Sequence, residues 1–183
     1  MNGLNHYDTQ KKFNELCGFE NYYIPYKYGK KIPLRTFKDL EPSKAFTEKE
    51  LMSSPSYAIR CGYNNLICID PDFKKDKNAS DLPEKFRNTY TDDTKGGKHY
   101  LFIVPTGIPS YCRNFVKKTK YNFDLFCNKN VGVAFTNCKI PNKYYNNIKY
   151  MPPQNIPLEL YNEIDSYMKS NSSPSKIIKN NIV

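Results

Sequence analysis

The chain has 183 residues and a formal net charge of +10, from 28 basic and 18 acidic side chains. Its length suits one domain with a buried core, and it contains neither a membrane-length apolar run nor an amino-terminal secretory signal. We therefore expect an intracellular protein, in the cytoplasm or encoded by a virus or plasmid within its host. It should have no membrane association, and the excess of positive charge favours a polyanionic partner.

The first half of the chain predicts two helices and three strands. Phe13 and Cys17 recur at helical spacing, so a helix is expected over residues 7–17. Thr47, with Glu50 three residues later, forms a capping-box pattern that predicts the start of a second helix. Short β-rich runs, the last two separated by a turn-prone segment, predict strands over 22–26, 56–62 and 65–70.

The second half predicts further strands and a final helix. A polar segment is expected to contain a short helix near 82–87, and Pro157 stands in the first turn of a carboxy-terminal helix. Apolar and aromatic runs predict strands over 98–104, 121–127 and 131–136. The strands over 121–127 and 131–136 should form a hairpin that turns near 128–130.

Together these elements predict the α+β fold class. We expect a mixed or antiparallel sheet, with helices contributed by both ends of the chain. Residues 1–168 should form one domain. Residues 169–183 are rich in Ser, Asn and Lys, which predicts a flexible tail or linker.

The six cysteines point to no disulfide framework and no metal site. None forms a CxxC pair and no secretion signal accompanies them, so reduced thiols are expected. A zinc site built from Cys112, Cys127 and Cys138 would need a fourth ligand that the spacing does not supply. No zinc is therefore expected.

An acidic pair ends the apolar run at 65–70. Asp70 and Asp72 flank Pro71, and residues two apart on an extended segment face the same side. Two carboxylates at a strand end suit Mg²⁺ or Mn²⁺, which accept hard oxygen ligands together with waters and substrate phosphates. The alternative is a solvated Asp-Pro-Asp turn after a core strand.

A glycine pair precedes the histidine of the next strand. Gly96 and Gly97 let the backbone approach a bulky anion, and their N–H groups are candidates to bind phosphate oxygens. Lys95 and Lys98 add positive charge beside them, and His99 opens the strand. The alternative is an ordinary glycine turn followed by a histidine that satisfies a neighbour.

Asp124 lies among apolar neighbours in the predicted strand 121–127. In an alternating strand Phe123 and Leu125 share one face, and Asp124 points to the other. A carboxylate is costly to bury unless it is paired or binds a metal. Asp124 is therefore a candidate third metal ligand, unless it faces outward from an edge strand.

Positive charge is concentrated between Lys95 and Asn130, where Asp124 is the only acidic residue. Basic side chains here are expected to contact the phosphates of a nucleic acid, and the aromatic residues between them to stack on unpaired bases. The side chains expected to do so are Arg113, Lys117, Lys118 and Lys120.

The order of these motifs is more specific than any one of them. An acidic pair, a Gly-Gly-x-His strand and an isolated Asp occur in this order in the primase-polymerase (prim-pol) domains of the archaeo-eukaryotic primase superfamily, which the chain resembles. The segments 28–37 and 56–73 are also similar to stretches of phage and plasmid prim-pols. The resemblance extends over about residues 22–141.

The resemblance implies a catalytic cleft on an RRM-like sheet flanked by helices. It implies a DNA primase or DNA polymerase that makes or extends primers in DNA replication, with two Mg²⁺ or Mn²⁺ ions as cofactors. The implied partners are single-stranded or primed DNA, dNTPs or rNTPs, and a helicase domain or protein. The implied catalytic residues are Asp70, Asp72, Asp124 and His99, the three aspartates being the metal ligands. The implied nucleotide-binding residues are Lys95, Gly96, Gly97, Lys98 and His99.

Two other functions remain open from the sequence. A catalytically inactive single-stranded nucleic-acid-binding module of the same fold would explain the charge and the aromatic residues, but not three carboxylates at matching spacing. A metal-dependent nuclease also uses aspartate pairs and a histidine, but it does not need glycines beside a triphosphate. A rolling-circle nickase is disfavoured because the chain has no His-x-His pair.

Overall fold

The computed structural model describes residues 6–38, 40–107 and 122–171. Its helices are α1 (His6–Cys17), α2 (Pro42–Ala45), α3 (Glu48–Ser53) and α4 (Leu158–Asn171), and a 3₁₀ turn spans Glu84–Phe86. Its strands are β1 (Tyr23–Pro25), β2 (Tyr57–Arg60), β3 (Leu66–Asp70), β4 (Tyr90–Thr94), β5 (Lys98–Ile103), β6 (Asp124–Phe126), β7 (Gly132–Ala134), β8 (Tyr145–Lys149) and β9 (Gln154–Asn155). No helix among these residues is long and apolar enough to cross a bilayer.

The strands form two sheets. The smaller sheet has the order β1-β2-β7, and the larger has the order β6-β3-β5-β4-β8 with β9 paired to β5. Every pair is antiparallel except that of β5 with β9. The predicted α+β class is therefore confirmed, as mostly antiparallel sheets with few helices.

Several local signals produced the expected elements. The capping box at Thr47 is formed, with its side chain accepting from the Glu50 N–H and Glu50 accepting from the Thr47 N–H. The turn between β2 and β3 contains Gly62, Asn64 and Asn65, all at positive φ, which glycine and asparagine tolerate best. Glycine and asparagine therefore fix this turn and the pairing of the strands that it connects.

The larger sheet buries both faces. Ile67, Ile69 and Tyr100 on one face pack with Leu160 of α4. Leu66, Cys68, Leu101 and Tyr90 on the other face pack with α1 and the smaller sheet. Because side chains alternate along a strand, the central strands β3 and β5 each contribute to two cores.

The predicted hairpin between the strands at 121–127 and 131–136 is wrong. β6 pairs with β3, whereas β7 pairs with β2 in the smaller sheet. Arg60 holds the crossing chain, with Nε and Nη2 donating to the Lys129 carbonyl oxygen at 3.0 and 2.8 Å. A Cβ on Gly62 would lie 2.6 Å from the Cys127 carbonyl oxygen, so the crossing segment also packs tightly against that glycine.

α4 extends past residue 168 to Asn171, and the predicted division into a domain and a tail stays a prediction. One smaller expectation needs correction. Cys127 is disulfide-bonded, whereas the expectation was that all thiols are reduced. The free thiols among the described residues are Cys17, Cys61, Cys68 and Cys138.

Candidate functional site

Asp70 and Asp124 face each other across two neighbouring strands. Asp70 ends β3, Asp124 begins β6, and the two residues are register partners. Directly opposed residues of an antiparallel pair point to the same face, with Cβ atoms about 5 Å apart. Two like charges in this position repel each other unless a cation lies between them.

His99 joins the pair from the other side of β3. It lies on β5, and its Nε2 atom is 3.4 Å from Oδ2 of Asp70. The imidazole is buried, and its ring packs 5.7 Å from the ring of Tyr145. Three adjacent strands, β6, β3 and β5, therefore bring Asp124, Asp70 and His99 to one face of the larger sheet.

A cavity of about 130 Å³ opens beside the acidic pair. Its lining contains four carboxylates and one ammonium group, so that a protein of net charge +10 concentrates negative charge at this place. Both members of the predicted acidic pair belong to it, and Asp76 and Lys75 were not predicted from the sequence. The lining residues are Asp70, Asp72, Lys75, Asp76, Ala79, Asn122 and Asp124.

The chemistry of this cavity fits a small divalent cation. Oδ1 of Asp70 is buried and accepts no hydrogen bond from the described residues, and a buried acceptor without a partner costs about 1–3 kcal/mol. Carboxylate and amide oxygens are the ligands that Mg²⁺ and Mn²⁺ prefer. Mg²⁺ or Mn²⁺ bound here would supply the partner that Asp70 lacks.

The carboxylates are not arranged as a finished metal cluster. Within the described ranges, no three ligating side chains are already grouped as a metal site. Oδ1 of Asp72 lies 2.9 Å from Nζ of Lys75, and Oδ2 of Asp76 accepts from the Asn122 amide. Asp72 would have to leave Lys75 in order to bind a cation.

The glycine pair has a different role from the one expected. The N–H groups of Gly96 and Gly97 both donate to Oγ1 of Thr94, at 3.2 and 3.0 Å, so they are not free to bind phosphate. A Cβ on Gly97 would lie 1.8 Å from the Pro71 carbonyl oxygen, and one on Gly96 would lie 2.0 Å from Oδ1 of Asp72. Glycine is needed here because the β4–β5 turn packs directly on the acidic segment.

Lys98 does not belong to the site. It alternates with His99 along β5 and therefore points to the other face, where its Nζ lies 2.9 Å from Oδ2 of Asp81. Lys95 is exposed on the β4–β5 turn, and its role in nucleotide binding stays a prediction. The predicted nucleic-acid contacts lie outside the described residues, namely Arg113, Lys117, Lys118 and Lys120.

Comparison with known proteins adds no relative at this point. No protein-family model matches the chain, and no curated protein matches it.

Asp92 is the buried carboxylate that the sequence did not reveal. It lies on β4 directly opposite His99, and it is 1% exposed. Burial raises the pKa of Asp92 to about 6, against the opposing effects of His99 and of a hydrogen bond from Asn147. Asp92 is therefore the register partner of His99 on the side away from Asp70.

We expect Asp92→Asn to stabilise the protein above pH 6 and to have little effect near pH 4. The folded pKa of about 6 exceeds the ordinary value of 3.8, so the folded state binds the proton more tightly. Below about pH 4 the bound proton contributes its full stabilisation, which is lost as the pH rises through 6. Near pH 7 the loss amounts to about 3 kcal/mol in the free energy of unfolding. Urea unfolding at both pH values measures the difference.

The matched control for this measurement is Asp93→Asn. Asp93 is the neighbouring strand residue, and its partly exposed carboxylate pairs with Lys74 at 2.6 Å. That substitution should not become stabilising as the pH rises. Equal effects of Asp92→Asn at the two pH values would contradict the assignment.

Proposed function

We propose that the protein is a template-directed nucleotidyltransferase of the prim-pol kind, which makes or extends primers from dNTPs or rNTPs. The observation that supports this most is the opposed pair Asp70 and Asp124, with His99 3.4 Å from Asp70 on the adjacent strand. The three motifs that resemble the prim-pol signature thus lie on one sheet face. On this proposal that face is the floor of a primase-like cleft.

The acidic residues would hold two divalent cations, which when bound lower the pKa of the attacking 3′-hydroxyl and neutralise the leaving pyrophosphate. Asp70 and Asp124 would each contribute carboxylate oxygens to a shared cation position. Asp72 would add a further carboxylate ligand if it left Lys75, and the Lys75 ammonium group would then be free beside the β4–β5 turn. A released Lys75 would contact the triphosphate oxygens.

His99 would donate an N–H to the triphosphate. Its ring packs on the Tyr145 ring, which limits the reorganisation needed when a nucleotide binds. A fixed donor aimed at developing negative charge is an effective source of transition-state stabilisation.

We expect His99→Ala to lower kcat/KM for nucleotide incorporation by about 10²–10³-fold, the loss typical of removing one positioned donor. Affinity for primed DNA should stay within about twofold, because on this proposal His99 contacts the nucleotide and not the DNA strand. Steady-state incorporation and DNA-binding titrations measure the two effects. His6→Ala, which removes the chain's other histidine, is the matched control. Unchanged kcat and KM would remove His99 from the mechanism.

The test of the function itself is extension of a labelled primer on a DNA template with Mn²⁺ or Mg²⁺. Longer products made with dNTPs or rNTPs support the proposal, and products on an unprimed strand indicate priming. A protein that binds the DNA without extending it would be the inactive binding module. A shortened labelled strand would instead identify a nuclease.

A further inference from the structure

A second pocket, of about 700 Å³, is lined in part by Tyr145, whose ring packs on that of His99. It forms where the turn at Tyr28 and Gly29 meets the start of β8. Gly29 packs on Pro141, and a Cβ added to Gly29 would lie 3.4 Å from the proline ring. The lining is formed by Tyr28, Gly29, Asn137–Pro141 and Lys143–Asn146, and contains no acidic residue.

Exposed tyrosine rings stand at this pocket. Tyr28 is 83% exposed and Tyr144 is 41% exposed. Large apolar surfaces left in water usually mark a binding site, and aromatic rings are the groups on which unpaired bases stack. Tyr145, by contrast, is buried and connects the pocket to the ring of His99.

Three lysines lie at this pocket or beside its tyrosine rings. Lys139 and Lys143 line the pocket, and Nζ of Lys31 lies 5.0 Å from the centre of the Tyr145 ring. Among the described residues none of these three lysines has a carboxylate within ion-pair distance. Partial desolvation and the nearby Lys143 lower the pKa of the Lys31 ammonium, as expected where positive charges are crowded.

The pocket is joined to the acidic cavity by the β4–β5 turn. Nζ of Lys74 lies 5.8 Å from the centre of the Tyr144 ring, and the Lys74 N–H donates to the Gly96 carbonyl oxygen at 2.8 Å. Gly96 in turn packs on Asp72. The segment from Lys74 to the β4–β5 turn therefore contacts residues of both cavities.

We propose that this tyrosine–lysine pocket binds unpaired bases of single-stranded nucleic acid, stacked on Tyr28 and Tyr144, with phosphates contacted by Lys31, Lys139 and Lys143. The lysines come from two separate segments, which suits successive phosphates of a strand better than one compact triphosphate. This inference deepens the proposed function by locating where a strand would bind, and it would hold equally for a catalytically inactive module of the same fold.

The experiment measures binding without catalysis, by fluorescence anisotropy of a labelled oligo-dT with no divalent cation present. Tyr28→Ala and Tyr144→Ala should each weaken binding roughly tenfold, as expected for the loss of one stacked base. The corresponding Phe variants should bind like the original protein. Tyr150→Ala, at an exposed tyrosine outside the pocket, should change affinity little.

Two further measurements test whether the lysines contact phosphates while the tyrosines contact bases, and whether the pocket binds a strand or a free nucleotide. Lys143→Ala should lower the salt slope of binding by about one, whereas Lys49→Ala, which removes the same charge on α3, should not. An abasic oligonucleotide should bind more weakly and be insensitive to the tyrosine variants. The proposal would be overturned if both Tyr→Ala variants bound oligo-dT with unchanged affinity. It would also be overturned if they weakened the binding of free dTTP but not that of oligo-dT.

Discussion

Asp124→Asn is expected to abolish nucleotide incorporation, by at least about 10²–10³-fold, and to remove the stabilisation of the protein by Mn²⁺. The loss of activity follows from removing one of two opposed carboxylates that would hold the cations. Asp70→Asn should behave in the same way with respect to activity.

Primer extension and thermal unfolding with and without Mn²⁺ measure these effects. A cation that binds only the folded state raises the melting temperature, so Mn²⁺ should stabilise the original protein and not the Asp124→Asn variant. Asp93→Asn is the control, because the Asp93 carboxylate on β4 pairs with Lys74 and does not line the acidic cavity. Normal extension by Asp124→Asn would remove Asp124 from the site.

Gly97→Ala is expected to destabilise the protein by about 3 kcal/mol or more, the upper range for overpacking. The added Cβ would lie 1.8 Å from the Pro71 carbonyl oxygen and 3.2 Å from the Asp72 Cα, and both are backbone atoms that cannot turn aside. The acidic segment would be displaced, so any Mn²⁺-induced stabilisation should be lost as well.

Gly18→Ala provides the comparison for that variant. Gly18 has a φ of +74° but no atom within 4 Å of its Cβ position, so only the left-handed conformation is penalised, by about 1 kcal/mol. Denaturant unfolding of both variants separates steric conflict from backbone strain. If both variants lost the same free energy of unfolding, the β4–β5 turn would have moved enough to accommodate the extra methyl group.

The strongly patterned segments were predictable from the sequence. Helix α1, the capping box at Thr47 and strands β3 and β5 all follow local signals, either apolar periodicity or cap chemistry. Alternation also placed Asp124 on the face opposite to Phe123 and Leu125, which lie together in one core cluster. The approach of Asp124 to Asp70 then depended on strand pairing, which the local pattern does not specify.

Polar strands were missed because their burial depends on distant partners. β4 reads as a loop, yet Thr91, Asp92 and Thr94 are buried. Thr94 accepts from both glycines of the turn, and Asp92 accepts from Asn147 on β8. The same dependence explains the glycine pair, since only the folded contact with Pro71 shows why side chains are excluded there.

The crossing of the chain from β6 to β7 also bears on how the protein folds. These consecutive strands add to β3 and β2, both from the first half of the sequence, so long loops must close before either pairing forms. A nascent or refolding chain therefore leaves the edge of β3 open until β6 docks. Open strand edges invite association between chains, which makes this interval the stage at which aggregation competes with assembly of the acidic pair.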